Sequence, residues 1–347
     1  MTLKERIEAF SILGAVLRDA LDGKETVYAD GLHELINNQH IKNPWFTPEN
    51  VKMSVRAIAE ELTRYNLEIW TKLYPTLEEN RSPAIIAVVM AGNIPLVGFH
   101  DFLSVLITGN KIIAKVSSKD SDLIKFIGRI LITIESRFSK MIMFTDGLLS
   151  GFDAVIATGS DNTSRYFEYY FSRYPHLIRK NRNSAALIEG NETEEELEKL
   201  GLDIFSYFGL GCRNVSKIYL PEDCNPATIA ASWESYRHVT DHYKYANNYD
   251  YNKAVYLVNK ESFADTGFLL LKESSGLSSP VAVLFYEKYD SHDAVRNKFR
   301  ELDESIQCIV GKNHVPFGQS QFPRLWDYAD RMDTIDFLLK KKYRKQS

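Results

Sequence analysis

Cysteine is scarce in this sequence. Only three cysteines occur among the 347 residues, at Cys212, Cys224 and Cys308. An odd number of cysteines without the pairwise spacing of metal ligands argues against a disulfide framework and against a zinc ribbon. This cysteine usage is typical of a reducing compartment, and we expect a cytoplasmic protein.

Long apolar runs and a strong excess of one charge are also absent. No stretch approaches the roughly 18 apolar residues of a membrane helix, and charged residues interrupt the start of the chain, where a signal peptide needs an apolar core. We therefore expect neither a signal peptide nor a membrane span. The net charge is -4, from 42 basic and 46 acidic residues. It argues against a nucleic-acid partner but leaves room for a local phosphate pocket, so small molecules or proteins are the expected partners.

The two best-known phosphate-binding signatures are missing as well. Neither the G-x-G-x-x-G fingerprint nor the G-x-x-x-x-G-K-S/T loop occurs in the chain. A nucleotide cofactor would therefore have to be held by another arrangement of residues.

The chain begins with helical patterns. Apolar residues three or four apart predict an amphipathic helix that ends near Asp22-Gly23. They are Ile7, Phe10, Leu13, Leu17 and Leu21. Thr47 followed by Pro48 is typical of an N-cap and first helical position, and the apolar pattern after them predicts one long helix toward Trp70.

From Pro83 the pattern changes to alternating strands and helices. Residues Ala84 to Met90 form a continuous apolar run of strand length, as expected where helices cover both faces of a parallel sheet. Further strands are predicted at 111–116, 152–157 and 184–188, with helices at 96–108, 121–138 and 162–174. This alternation predicts a doubly wound α/β fold.

Cys212 is the candidate nucleophile. It lies on the turn Gly209-Leu-Gly-Cys212, and the strand-like segment Val215 to Leu220 follows it. Glycines at positions 209 and 211 permit a sharp bend and a close approach of a substrate to the sulfur. The alternative is a half-buried cysteine that only fills space.

Two histidines have a spacing that could chelate a metal ion on a helix. His238 and His242 are four residues apart, but no third ligand is evident in the sequence. Solvated or core histidines are commoner at such positions, and we expect no metal site.

Five short motifs follow one another in a fixed order. They are Ala91-Gly-Asn-Ile-Pro95, the segment from Gly109 to Ser118, Ala157-Thr-Gly-Ser160, Phe208-Gly-Leu-Gly-Cys212 and Val315-Pro-Phe-Gly318. In this order they resemble the aldehyde dehydrogenase superfamily. Within that superfamily the chain is most similar to the LuxC-type acyl-CoA reductases.

This resemblance implies a fold and a division of the chain. The expected fold class is α/β and aldehyde dehydrogenase-like, with a doubly wound cofactor-binding domain, a smaller α/β catalytic domain and a helical N-terminal region. We expect the helical region and dinucleotide-binding domain in residues 1–205 and the catalytic domain in residues 206–318. Residues 319–347 would be a C-terminal tail and an oligomer contact, since the superfamily suggests a homo-oligomer.

The resemblance also assigns roles to individual residues. Cys212 would attack the acyl carbonyl, while the Asn93 side chain and the Cys212 backbone N–H would stabilise the resulting oxyanion. Lys115 would reach a ribose or phosphate of the cofactor, and Gly159 and Ser160 match the Gly-Ser turn at the cofactor. Without the resemblance, Asn93 is more typical of a turn residue, and Lys115 could equally be a surface lysine.

Ser118 bears on the choice of cofactor. It stands where many NAD-using relatives have a glutamate on the adenosine ribose. A serine removes a charge that would repel a 2′-phosphate, so we expect NADPH, with NADH as the alternative.

Two positions depart from the superfamily pattern. Arg179 stands where hydrolytic aldehyde dehydrogenases have a water-activating glutamate, so water is not the expected acyl acceptor. Arg179 could instead attract phosphates of CoA or NADPH, or join a solvated basic cluster with Lys180 and Arg182. Gly276 stands where a glutamate usually holds the nicotinamide ribose, which leaves the cofactor less firmly bound.

The resemblance therefore implies an NADPH-dependent reductase that converts a fatty acyl-CoA or carrier-bound acyl group to the aldehyde through a cysteine thioester. Two alternatives stay open. One is a CoA-acylating aldehyde dehydrogenase acting oxidatively, and the other is a non-catalytic scaffold that binds an acyl carrier or a partner enzyme.

Overall fold

The computed structural model describes residues 1–79, 82–159 and 161–340, and the chain divides into two compact units. The first unit consists of residues 1–180 together with the chain from Arg324 onward, and the second consists of residues 181–323. Each unit has its own sheet.

The elements of the first 180 residues are helices α1 (Leu3–Leu21), α2 (Ala29–Lys42), α3 (Pro48–Glu61), α4 (Arg64–Lys72), α5 (Phe99–Ile107), α6 (Asp122–Ile134) and α7 (Asp161–Phe171), and strands β1 (Ile85–Val89), β2 (Lys111–Lys115), β3 (Ile142–Thr145), β4 (Ala154–Thr158) and β5 (His176–Arg179). The second unit has helices α8 (Glu194–Phe205), α9 (Pro226–Ala231), α10 (Tyr243–Val258) and α11 (His292–Glu301), and strands β6 (Asn183–Leu187), β7 (Val215–Pro221), β8 (Ala264–Asp265), β9 (Leu270–Glu273), β10 (Val283–Tyr289) and β11 (Ile306–Val310). A last helix, α12 (Thr334–Leu339), belongs to the first unit.

The helical beginning is confirmed, with one correction. The Thr47 hydroxyl accepts a hydrogen bond from the Asn50 N–H and caps α3, as predicted. The single long helix predicted after Thr47 is wrong, because α3 stops and α4 starts anew. Leu62 leaves the helical region with φ -79° and ψ 52°, and the Thr63 hydroxyl then caps α4.

The first sheet is parallel throughout, in the order β3-β2-β1-β4-β5. β1 lies at its centre, and Ile86, Ala87 and Val88 are fully buried, as predicted for a strand covered on both faces. The chain moves outward from β1 to β2 and β3, and then returns to the other side of β1 with β4. This reversal makes a topological switch point at the carboxyl ends of β1 and β4, the place where open α/β sheets bind ligands.

The second sheet has the order β11-β6-β7-β10-β9-β8. Its pairs are parallel except for β8 with β9. The interior strand β7 is anchored by the fully buried residues Ile218 and Leu220. β7 is the strand that the predicted nucleophile precedes.

The boundaries of the units differ from the predicted domain boundaries. The second unit begins at Asn181 rather than at residue 206, because β6 pairs with β7 and β11. The chain from Arg324 to residue 340 packs into the first unit instead of forming a separate tail. The indole N–H of Trp70 donates to the Tyr328 hydroxyl at 2.7 Å, and Ile335 is fully buried.

Within the three described ranges, no helix has both the length and the apolar character that a membrane crossing requires.

Candidate active site

The segment 206–214, which we call the cysteine turn, follows α8 in the second unit. Three consecutive residues in it adopt left-handed backbone conformations, with φ of 51° at Tyr207, 56° at Phe208 and 76° at Gly209. Glycine adopts such values freely, whereas each of the other two residues is destabilised by about 1–2 kcal/mol. The chain then passes through Cys212, which is half-buried, and enters β7.

Hydrogen bonds to the buried residues Asn214 and Ser184 hold this turn from two sides. The Asn214 side chain accepts from the Gly211 N–H at 2.8 Å and donates to the Ser206 carbonyl at 2.8 Å. The Asn214 backbone N–H also donates to the Gly211 carbonyl at 3.0 Å. On the other side, the buried Ser184 hydroxyl of β6 donates to the Cys212 carbonyl at 2.9 Å. The backbone that carries Cys212 is therefore fixed before and after the sulfur-bearing residue.

The other two cysteines are less suited to act as nucleophiles. Cys308 is buried in β11, and its sulfur lies 3.1 Å from the Ser184 hydroxyl. Burial raises the pKa of the Cys308 thiol, and burial together with Asp223 raises the pKa of the Cys224 thiol. Because the thiolate is the reactive form, both residues are weaker nucleophiles near neutral pH than ordinary cysteines.

A buried carboxylate connects α8 to the last of the five motifs. Asp203 is fully buried and accepts hydrogen bonds from the Gly318 N–H at 2.6 Å and from the Ser320 N–H at 2.8 Å. Burial raises the pKa of Asp203 to about 6, against the opposing effect of these hydrogen bonds. The segment that contains Pro316 to Gly318 is thus attached to the same helix that leads into the cysteine turn.

In the first unit, Asn93 lies exposed on the loop that follows β1. Buried groups hold the backbone nearby: the Leu96 N–H donates to an Asp120 carboxyl oxygen at 2.7 Å, and the Ser54 hydroxyl donates to the Pro95 carbonyl at 2.7 Å. Leu96 itself has a left-handed φ of 57°. Burial raises the pKa of Asp120 to about 8, so this carboxyl is mostly protonated at neutral pH.

Lys115 and Ser118 lie at the same edge of the sheet, after β2. Lys115 is half-buried at the last position of the strand, and its ammonium donates to the Gly147 carbonyl at 2.9 Å. Ser118 is exposed three residues later. A Cβ on Gly92 would lie 2.4 Å from the Ser117 hydroxyl, so the loops after β1 and β2 are in direct contact. The structure thus brings Asn93, Lys115 and Ser118 to one edge of the first unit.

Gly159 follows β4 at the switch point. A Cβ there would lie 3.0 Å from the side chains of Thr163 and Phe167, so a larger residue would displace them. The Gly159 N–H donates to the Arg179 carbonyl at 3.3 Å. Ser160, the other half of the predicted Gly-Ser turn, lies outside the described residues.

The solvated basic cluster considered for Arg179 is wrong. Arg179 is 3% exposed, forms an ion pair with Asp101 at 2.5 Å and donates to the Thr334 hydroxyl at 2.7 Å. Lys180 is the exposed member of the proposed cluster. The last residue of β5 thus lies in the interior of the first unit, where its guanidinium contacts Asp101 of α5 and Thr334 of α12.

Gly276 and the two histidines lie elsewhere in the second unit. Gly276 is exposed after β9, and its N–H donates to the Ser274 hydroxyl. His238 lies on a 3₁₀ helix, and the His242 ring packs against Phe208 with centroids 4.4 Å apart. In the part of the chain that the structure describes, no three histidine, cysteine, aspartate or glutamate residues form a group that could hold a metal ion.

Sequence reasoning missed the buried residues that hold the motif loops within each unit. Asn214, Ser184, Asp203 and Asp120 are all buried polar residues that bind backbone groups of the motif loops. Only Asn214 carried a signal in the sequence, because it lies two residues after Cys212. Ser184, Asp203 and Asp120 bind segments that are distant in the sequence, and local sequence patterns do not predict such contacts.

Comparison with known proteins identifies a family. A family model described as acyl-CoA reductase (LuxC) matches residues 28–226, which is more than half of the chain. The matched range includes Asn93, Lys115, Ser118, Gly159 and Cys212. Among curated proteins, none matches this chain.

Solved structures of aldehyde dehydrogenases share the fold. The enzyme from Mycobacterium tuberculosis, solved as a complex with NAD+, is 12% identical with a TM-score of 0.61, over 88% of this chain and 76% of that one. The enzyme from Brucella melitensis biovar abortus 2308 is 10% identical with a TM-score of 0.63, over 93% and 84%. Aldehyde dehydrogenase 21 from Physcomitrella patens, complexed with its product succinate, is 12% identical with a TM-score of 0.62, over 90% and 74%. The predicted aldehyde dehydrogenase-like α/β fold is confirmed.

The three cysteines should differ in their rate of alkylation. Brief treatment with iodoacetamide near neutral pH should modify Cys212 first, because burial raises the pKa of both Cys224 and Cys308. Peptide mass mapping at several times gives the three rates, and a urea-unfolded sample serves as the control in which the rates converge. Faster modification of Cys224 or Cys308 in the folded protein would contradict this ranking.

Proposed function

Because the chain belongs to the acyl-CoA reductase (LuxC) family, we propose that it reduces fatty acyl thioesters to aldehydes with a nicotinamide cofactor and a cysteine thioester intermediate. The observation that carries this proposal is the cysteine turn. It lies inside the matched range and presents a half-buried thiol on a backbone held by buried partners. Such a rigid nucleophile suits covalent acyl transfer.

In the proposed reaction, the Cys212 thiolate forms a bond to the acyl carbonyl carbon, and the bond from that carbon to the sulfur of CoA or of a carrier breaks. The leaving thiolate departs without a strong base, because thiolates are stable anions near neutral pH. When bound, the reduced nicotinamide supplies the hydride that takes the acyl carbon to the aldehyde level. The bond between that carbon and Cys212 then breaks, which releases the aldehyde and restores the thiolate.

Asn93 is the proposed side-chain donor to the thioester oxygen as negative charge develops there. Asn93 is exposed on a loop whose backbone is held at Leu96 and Pro95, which supports a well-defined position for its side chain. One such donor stabilises a transition state by about 3–4 kcal/mol in acyl-transfer enzymes. The backbone N–H of Cys212 is the second proposed donor.

Three features of the first unit support a dinucleotide cofactor. The loops after β1, β2 and β4 meet at the edge of a parallel sheet beside its switch point. A Cβ would lie 2.4 Å from the Ser117 hydroxyl at Gly92 and 3.0 Å from Thr163 at Gly159, so both positions favour glycine. Lys115 and the Ser118 hydroxyl could hold ribose and phosphate groups, as proposed from the family resemblance.

NADPH is the proposed form of the cofactor. Lys115 and Lys119 contribute positive charge beside Ser118, while burial keeps Asp120 mostly protonated at neutral pH. The nearby carboxylate of Asp122 pairs with Lys42. The positive charge of these two lysines would favour a 2′-phosphate over a bare ribose hydroxyl.

Arg179 supports a reductase rather than a hydrolase. Family resemblance aligns it with the glutamate that activates water in hydrolytic relatives, and a guanidinium accepts no proton at accessible pH. Its ion pair with Asp101 keeps the guanidinium buried. We propose that thiols and hydride, rather than water, consume the acyl-enzyme.

The function is tested by incubating the protein with NADPH and a panel of acyl-CoAs of different chain length. We expect loss of the reduced cofactor's absorbance together with equal formation of aldehyde. Cys212→Ala should reduce both to background, because the nucleophile is gone. Cys224→Ala, a change at a cysteine with a raised pKa, should keep the rate within about twofold.

Each alternative predicts a different result in the same assay. Turnover only with aldehyde, CoA and oxidised cofactor would favour the oxidative enzyme. No turnover, no labelling of Cys212 and no thermal shift with NADPH would favour the scaffold. Aldehyde formation by Cys212→Ala would contradict the proposed nucleophile.

Ser118→Glu should move cofactor preference from NADPH toward NADH. The new carboxylate would repel a 2′-phosphate and accept hydrogen bonds from ribose hydroxyls, which should change the ratio of the two kcat/KM values by about tenfold or more. Ser139→Glu is the matched control, because Ser139 is exposed just before β3, at the opposite edge of the sheet. An unchanged ratio in Ser118→Glu would remove Ser118 from the cofactor site.

A further inference from the structure

Asn214 occupies an unusual position for a polar residue. It is 2% exposed, and both ends of its amide are engaged. The amide oxygen accepts from the Gly211 N–H, and the amide nitrogen donates to the carbonyls of Ser206 at 2.8 Å and Asp203 at 3.1 Å. These contacts join the end of α8 to the residue immediately before Cys212.

The two carbonyls lie at the end of α8, at Asp203 in its last turn and at Ser206 just after it. An α-helix leaves its last four carbonyls without intrahelical partners. α8 ends at Phe205, and Tyr207 and Phe208 then adopt left-handed conformations. The Asn214 amide nitrogen donates to carbonyls at this helix end from a residue that lies beyond the turn.

The same residue closes the turn on the other side. Its backbone N–H donates to the Gly211 carbonyl at 3.0 Å while its side chain accepts from the Gly211 N–H. Both polar backbone groups of Gly211 are therefore bound to one residue. Since the peptide bond after Gly211 is planar, fixing Gly211 also fixes the direction of the Cys212 backbone.

The side-chain chemistry required at position 214 is specific. One acceptor and two donors must extend from a short side chain to opposite sides of the turn. Aspartate has the same shape but no donor, and serine is too short to reach both the helix end and Gly211. Asparagine meets these needs at this length.

We propose that Asn214 is a positioning residue that sets the orientation and reactivity of Cys212 by joining the end of α8 to the cysteine turn. The inference rests on the proposed function, since it takes Cys212 as the nucleophile. Misplacement of a reacting atom by about 1 Å lowers rates by about a hundredfold. Loss of the Asn214 contacts should therefore lower kcat by about ten- to a hundredfold and leave KM for acyl thioester and cofactor within about threefold.

The test compares Asn214→Asp with a matched buried asparagine. Asn110 is 4% exposed, accepts from the Ala84 N–H and donates to the Thr108 hydroxyl. It precedes β2, at the edge of the first sheet opposite to Lys115 and Ser118. Asn110→Asp also removes a buried amide donor and should lower the melting temperature, but it should leave kcat and Cys212 alkylation within about twofold of wild type.

Two readouts are measured at a temperature where circular dichroism shows every variant folded. The first is kcat and KM, and the second is the iodoacetamide rate of Cys212 in the absence of substrate and cofactor. In Asn214→Asp we expect both kcat and the alkylation rate to change by about tenfold or more. If Asn214→Asp does not fold, Asn214→Ser is measured in the same way.

A folded Asn214 variant with kcat and alkylation rate within about twofold of wild type would overturn the proposal and leave Asn214 as a stability residue only. This failure is distinguishable from failure of the proposed function. If the proposed function fails, either the wild type reduces no acyl-CoA or Cys212→Ala retains activity, and in both cases the alkylation rate of Cys212 still reports whether Asn214 positions it.

Discussion

Parallel strand pairing is the constraint on which the candidate site of the first unit depends. In a parallel sheet every strand ends at the same edge, so the loops after β1, β2 and β4 meet there although they are far apart in the chain. Asn93, Lys115 and Gly159 follow three different strands and gather at this edge for that reason. The arrangement requires buried strands and short loops but no particular sequence. It is therefore compatible with a fold that this chain shares with aldehyde dehydrogenases at 10–12% sequence identity.

In the second unit, buried residues hold the strained cysteine turn in place. Left-handed conformations at Tyr207 and Phe208 together cost about 2–4 kcal/mol. Each buried hydrogen bond contributes about 1 kcal/mol net, but leaving a buried partner unpaired costs about 1–3 kcal/mol. The contacts of Asn214 and Ser184 therefore offset the strain of the turn. Such stored strain is common at functional sites.

Local patterns were enough to predict much of the fold. The spacing of apolar residues indicated α1, the Thr47-Pro48 pair indicated the start of α3, and the apolar run after Pro83 indicated β1. The order of five short motifs indicated the family. These features depend on residues close in sequence, or on motif order alone, so a single sequence contains them.

The remaining features depend on contacts between distant segments. No local sequence pattern predicts the ion pair between Arg179 and Asp101. The neighbouring basic residues Lys180 and Arg182 instead suggest that Arg179 belongs to a solvent-exposed cluster. Left-handed conformations are uncommon for bulky residues, so the sequence does not predict them at Tyr207 and Phe208. The start of the second unit at Asn181 follows from the pairing of β6 with strands that come later.

The central claim is that Cys212 carries the acyl group, and mass spectrometry of the acyl-enzyme tests it most directly. The protein is mixed with a long-chain acyl-CoA without reduced cofactor, quenched in acid and mapped by peptides. The account predicts an added acyl mass on the peptide that contains Cys212, its loss after treatment with hydroxylamine, and no such adduct in Cys212→Ala. An unmodified Cys212 peptide in protein that forms aldehyde from the same acyl-CoA when NADPH is added would contradict the account.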